Sequence, residues 1–354
     1  MTTTDFTFYT SEEYWDELLK QFAKAKPDDR IAMIVMGFDP QEPPVAKVSE
    51  ALIAAAERGV NVSLVVDAYT FLLNPKAERF GPLWFQSELR YVTNAFKPQL
   101  HVINALRDNP TGHATIINKP GRPFPNPVAG RNHIKYTIIN DTVYVGGCNL
   151  YHTHWLDLMV GWKDKVTADY LYDIILNLHR VESTKELFGG QDLEVAIDAD
   201  TALYIDSGKK SQSLIFKKAL ELIDSAEKSL IITCQFFPNS VTARHLAAAH
   251  KRGVDVEIIY AHPAKQGHFG GLGQQVSILR ERSRHPAELF QKMLPKGGPA
   301  LHAKLIATEK GAIIGSHNYV QAGVLLGTAE IALLRYDTQF AKDAVAALKR
   351  ELEF

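Results

Sequence analysis

RNHIKYTIINDTVYVGGCNL, residues 131–150, decides the reading of this chain, because it returns in altered form as LHAKLIATEKGAIIGSHNYV, residues 301–320. In the first copy His133 stands two positions before Lys135 and sixteen before Asn149, and His302, Lys304 and Asn318 repeat both intervals. Gly146 and Gly147 precede the first asparagine; Gly315 and Ser316 hold the matching places. Apolar runs at Tyr136–Ile139 and Thr142–Val145, joined by Asn140-Asp141, predict strand, tight turn, strand. Side chains two apart on a strand share a face, so each histidine lies beside its lysine, and the second strand brings the asparagine back to both. An imidazole, an ammonium and an amide converging on one spot suit a tetrahedral oxyanion. The imidazole attacks or shuttles protons while the other two bind oxygens. A single His-x-Lys is usually a solvated surface pair, but duplication at fixed spacing argues for a site.

Outward from the two hairpins the chain repeats at a larger scale. Ser11–Ala25 reads as an amphipathic helix with Ser11 as its cap, residues 30–38 as a buried strand, 45–58 as a helix stopped by Gly59, and 60–68 as a strand. The same order follows residue 205: a helix through KKSQSLIFKKALELIDSA, a strand at 229–237, a helix at 243–252 stopped by Gly253, and a strand at 254–261. RGVNVSLVVDA aligns with RGVDVEIIYAH at an offset of 194 residues, an internal repeat of about half the chain. Strands alternating with helices imply an α/β fold, each half a mixed sheet covered by helices in an α-β-α layered domain. The expected division is a first domain over 1–185, a linker over 186–200 and a second domain over 201–354.

At 354 residues the chain has room for two such domains. Its formal net charge of −1 gives no global basic footprint for nucleic acid. The opening MTTTDFTFYTSEEYWDELLK has neither a basic start nor an apolar core, so no signal peptide is expected; no apolar run is long enough to cross a bilayer. Cys148 and Cys234 sit in no metal-type pair, which fits free thiols in a reducing, cytoplasmic setting, with Cys148 a small packing residue.

The reactive histidines are only 169 residues apart, so the first half carries 25 more residues between its RGV strand and its hairpin than the second. That excess falls in 70–131, an irregular, proline-rich insertion entering His133, readable as a lid or as a packed excursion. Phe71, Leu72, Trp84 and Phe85 there face either an acyl chain or the core. His152 and His154 lack the partners a zinc site requires, and no metal is expected. Lys265, Arg280, Arg282, Arg284, Lys292 and Lys296 give residues 262–300 a local basic excess, suited to an anionic headgroup or polynucleotide, or simply a solvated helix face. GGLGQQV, residues 270–276, does not follow a strand as a phosphate loop would.

Taken together, HIKYTIINDTVYVGGCN and HAKLIATEKGAIIGSHN resemble the paired motifs of the phospholipase D superfamily, and the repeated RGV strands extend the resemblance over most of the chain. The family's usual acid is replaced by Asn140 and Glu309, each hairpin is one residue shorter, and Asp141 is a candidate substitute for the acid in the first copy. The change is expected to alter the turn rather than the chemistry. Gly147 replaces the serine that Ser316 retains, as in cardiolipin synthase-like members. The resemblance implies a two-domain fold about a pseudo-twofold axis and cofactor-free, metal-free phosphoryl transfer through a phosphohistidine. His133 would be the nucleophile and His302 the general acid/base; Lys135, Lys304, Asn149 and Asn318 would hold phosphate oxygens, with Gly147 and Ser316 beside them. Asp157 and Glu330 match the carboxylates that orient the imidazoles. The first functional expectation is a phospholipase D or phosphatidyltransferase on phospholipid, touching the membrane peripherally through the insertion. The second is a nuclease or other phosphodiesterase on nucleic acid. An inactive binding protein is disfavoured, since both motifs keep every residue the chemistry needs.

Overall fold

The computed structural model describes residues 4–71, 97–119, 130–265, 267–286, 289 and 292–352. Leu72, Trp84 and Phe85 lie outside them. Strands β1 (Phe6–Thr10), β2 (Arg30–Val35), β3 (Asn61–Asp67), β4 (Gly112–Ile117), β5 (Tyr136–Ile139), β6 (Thr142–Gly146) and β7 (Leu158–Lys163) form a mixed sheet in the order β1-β7-β6-β5-β2-β3-β4. The second sheet holds β8 (Leu193–Ala196), β9 (Thr201–Ser207), β10 (Ser229–Cys234), β11 (Asp255–Tyr260), β12 (Lys292–Met293), β13 (Leu305–Thr308), β14 (Gly311–Gly315) and β15 (Ala329–Arg335). Its order is β12-β11-β10-β13-β14-β15-β9-β8. Read from β4 and from β12, the two orders coincide strand for strand, with β8 added at the edge.

Alternation decides which core each side chain joins. In β2, Ile31, Met33 and Val35 enter an outer cluster with Trp15, Leu18 and Phe22, whereas Ala32 and Ile34 enter a cluster shared with the second sheet. In β10, Leu230 and Ile232 face a third cluster under the helices Leu214–Ser225 and Val241–Lys251. The shared cluster joins Ile138, Val145 and Val160 to Leu305, Ile314 and Leu333, and the helices Lys165–Val181 and Thr338–Arg350 add Leu171, Ile175, Ala344 and Leu348 to it, so the sheets share one core with these two helices. Each fully buried side chain of this kind stabilises the fold by about 1.5–3 kcal/mol.

Several local expectations are revised. The segment read as a linker over 186–200 takes in the end of a helix (Thr184–Phe188) and β8, which pairs antiparallel with β9. Part of the insertion is regular: the helix Lys97–Arg107 and β4, parallel to β3, complete a unit whose counterpart is the helix Gly267–Arg282 and β12. GGLGQQV lies inside that latter helix. Asn140 Oδ1 accepts from Arg30 N at 3.0 Å at the start of β2, and Glu309 accepts from the N–H groups of Glu227, Lys228 and Ser229 before β10. Each thus ties its hairpin to the neighbouring strand, away from the histidines. In the first copy Asn140 makes that contact, while Asp141 lies 4.0 Å from the Arg30 guanidinium.

Candidate active site

His133 and Lys135 precede β5 rather than lying within it, and the reason is a crossing of the two halves. The lead-in to each hairpin bonds to the opposite domain: His133 N donates to Ala329 O at 2.8 Å and Ala329 N to Arg131 O at 2.9 Å, while His302 N donates to Leu156 O at 2.8 Å and Leu156 N to Ala300 O at 2.8 Å. The carboxylates cross with them. His133 Nδ1 meets Glu330 Oε2 at 2.8 Å, and His302 Nδ1 meets Asp157 Oδ2. All four side chains are buried. An ionised carboxylate accepts from the Nδ1–H tautomer, which leaves each Nε2 with its lone pair.

Lys135 and Lys304 are 0% and 1% exposed, and each Nζ donates to the carbonyl of the histidine two residues before it, that of Lys135 at 2.7 Å. Asn149 Oδ1 accepts from Gly37 N at 3.1 Å, which turns its Nδ2 away as a donor; Asn318 Oδ1 is buried without a hydrogen-bond partner among the described residues. Gly147 and Ser316 each bond to the strand that follows their hairpin. Their N–H groups donate to Leu158 O and Ile331 O, and Ser316 Oγ donates to Glu330. A Cβ on Gly147 would lie 2.6 Å from Asp157 Cγ, so the first copy needs glycine where the second uses serine as a brace.

Burial dominates the electrostatics. It pushes His133 down to about 4 and His302 to about 3, against the pull of their carboxylates, and lowers Lys135 to about 7 and Lys304 to about 8. In Glu330 burial works upward but is outweighed by His133, and in Asp157 by Lys304 and His302, so both acids sit below their ordinary range. Between about pH 4 and 7, two ammonium groups therefore balance two carboxylates around two neutral imidazoles. A bound phosphodiester adds one negative charge and favours protonation of whichever imidazole faces the leaving group.

Four supports were not legible in the sequence. Ser11, expected as a helix cap, instead donates through Oγ to Trp155 O at 2.7 Å and accepts from Asp157 N at 3.1 Å, fixing the loop that carries Asp157. Glu42 accepts from the N–H groups of His152 and Thr153, both at 2.8 Å, and His152 stacks on Trp155, whose ring lies 5.4 Å from that of His302. Asp67, at the end of β3, accepts from Tyr69 N, Asn118 Nδ2, Asn132 N and Arg131 Nη1 and so braces the entry to His133. His317, in the place of Cys148, is buried and accepts from Tyr319 N through Nδ1. Its position next to Ser316 within the second motif was the one available signal.

These groups open on a cavity of about 360 Å³ that draws on both halves, lined by His133, His302, Asn149 and Asn318 together with Met36, Tyr69, Tyr151, Trp155, Phe236 and Leu326. Matching sheets and a paired-histidine site between them define a phospholipase D fold. The family model described as "Cardiolipin synthase, PLD-like domain" matches residues 18–171 and again 219–352, and the chain belongs to that family. No protein of curated function matches at the sequence level. Among solved structures, phosphatidylserine synthase from Haemophilus influenzae Rd KW20 is similar at TM-score 0.70 and 16% identity, over 98% of this chain and 85% of that one. Polyphosphate kinase from Porphyromonas gingivalis is similar at TM-score 0.57 and 13% identity, over 99% of this chain but 47% of that one. Likeness at these identities is likeness of fold. Among the described residues no helix is long and apolar enough to cross a membrane.

Proposed function

We propose that this chain hydrolyses or transfers the phosphatidyl group of a glycerophospholipid through a phosphohistidine. The observation that carries the reading is the pair of imidazoles, each held at Nδ1 by a buried carboxylate of the other domain and sharing one cavity. His133 Nε2 attacks phosphorus, forming the P–N bond as the P–O bond to the headgroup alcohol breaks, and His302 gives the departing alkoxide its proton. His302 then takes a proton from water or an acceptor alcohol, whose oxygen displaces the phosphatidyl group from His133. Lys135, Lys304, Asn149 and Asn318 stabilise the charge on the non-bridging oxygens. The cardiolipin synthase-like family and the fold of phosphatidylserine synthase support a phospholipid substrate, as do the aromatic and aliphatic walls of the cavity.

The test is incubation of the full chain with phosphatidylglycerol, phosphatidylcholine and single-stranded DNA. Release of headgroup or phosphatidyl transfer is expected from a phospholipid, and none from His133→Ala or His302→Ala. Cleavage of DNA with no lipid turnover would overturn the substrate, and near wild-type rates in either variant would overturn the site.

A further inference from the structure

The helix Gly267–Arg282 presents apolar side chains on the side it does not pack. At about 100° per residue, Leu272, Val276 and Leu279 fall on one line, and they are 62%, 58% and 66% exposed. Directly opposite lie Gln274, Ile278 and Glu281, all buried, so the outer stripe is additional to the packed face. Arg280 and Arg282 fall on either side of the stripe, and Arg284 follows in the next turn; all three are exposed. The sole acid between residues 267 and 286 is Glu281, turned inward, where it accepts from Ser240 N and lies 3.3 Å from His285 Nε2 and 3.9 Å from Arg280 Nε. An apolar line flanked by arginines is the pattern of a helix that lies in a bilayer interface, apolar side in the acyl boundary and cations at the phosphates.

The stripe also stands beside the site. Asn239 Nδ2 donates to Ser277 Oγ at 2.9 Å, and Ser240 is tied to Glu281, so the helix is fastened to the loop after β10 whose Gln235 and Phe236 line the cavity. Thr242 Oγ1 joins that loop's following helix to Tyr319 O, and the helix Gln321–Leu326 just after Tyr319 carries Leu325, 53% exposed, beside cavity-lining Leu326. We infer that the Leu272-Val276-Leu279 stripe and its flanking arginines dock the protein on an anionic phospholipid surface with the cavity mouth toward the lipid. Its bearing on turnover rests on the phospholipid reading above. The charge of the flanks selects an anionic bilayer over a second copy of the chain, whose matching stripe would bring arginine against arginine.

Vesicle flotation of the full chain tests this, comparing phosphatidylcholine alone with phosphatidylcholine containing phosphatidylglycerol. Wild type is expected to favour the anionic vesicles. Leu272→Gln/Leu279→Gln is expected to weaken binding by about tenfold or more, from the apolar area no longer buried, and Arg280→Gln/Arg284→Gln to lose about fivefold per charge toward anionic vesicles only. Both variants are expected to keep wild-type turnover of bis(p-nitrophenyl) phosphate, a water-soluble phosphodiester, and wild-type melting temperatures. Unchanged vesicle binding in the leucine variant overturns the proposal. So does a lower melting temperature, which would mean that the stripe is covered by the chain itself, or conversion of a dimer to a monomer. Binding is read without turnover, so bound vesicles with no lipid cleavage count against the substrate reading and leave the docking surface standing.

Discussion

Glu330→Gln offers the sharpest test of the crossed site, because it alters a residue of the second domain to change the chemistry of a histidine in the first. Glu330 receives hydrogen bonds from His133 Nδ1 at 2.8 Å and from Ser316 Oγ, both buried. Glutamine keeps the shape and an acceptor but removes the charge. A hydrogen bond to a charged group contributes about 1.5–3 kcal/mol, or roughly a factor of 10 to 150 at 25 °C. The imidazole becomes cationic once phosphorus is attached, so the loss falls on formation of the intermediate. Turnover is expected to drop by about 10- to 150-fold, with the deficit in the yield of phosphohistidine trapped by detergent denaturation at mildly alkaline pH during the first turnover. In the ¹⁵N spectrum of histidine-labelled protein, the His133 Nδ1 resonance is expected to move while that of His302 stays in place. A shift at His302 with His133 unmoved, or unaltered phosphohistidine formation, would refute the crossed assignment.

Other outcomes follow from the same geometry. Gly147→Ala puts a Cβ against the Asp157 carboxylate and is expected to destabilise the protein by about 1–3 kcal/mol in denaturant unfolding, with turnover reduced through His302. For kcat/KM the pH profile should be bell-shaped: falling pH removes the imidazole lone pair as His133 protonates near about 4, and rising pH removes first the proton that His302 must hold and then the Lys135 charge near about 7. A rate that instead climbs steadily above pH 8 would show that the lysine charge is not required. Asp67→Ala removes the carboxylate that faces buried Arg131 and is expected to cost about 3–5 kcal/mol of stability, read from the shift in denaturation midpoint. Turnover is expected to be unaffected by EDTA, since Lys135 and Lys304 supply the cations; loss of activity restored by added metal would refute that.

Much of the fold was legible because its signals are local. The continuous apolar run in RIAMIV and the apolar runs flanking Asn140 mark strands whatever surrounds them, and the repeat of His, Lys and Asn at one spacing marks the two candidate half-sites. Edge elements were harder to see. Leu193–Ala196 is half-exposed along a sheet edge, so its short alternating pattern resembled a mixed linker until β9 was there to pair with it.

By itself the sequence determined which residues could carry phosphoryl transfer and that they come in two sets. Only the tertiary structure decided how the sets interlock: Glu330 serves His133 across 197 residues and Asp157 serves His302 across 145. Ser11 and Asp67 became supports of the site by the same route. The physical reason is that a hydrogen bond depends on distances of about 3 Å, and packing two sheets through one shared core sets those distances between residues that no local periodicity connects.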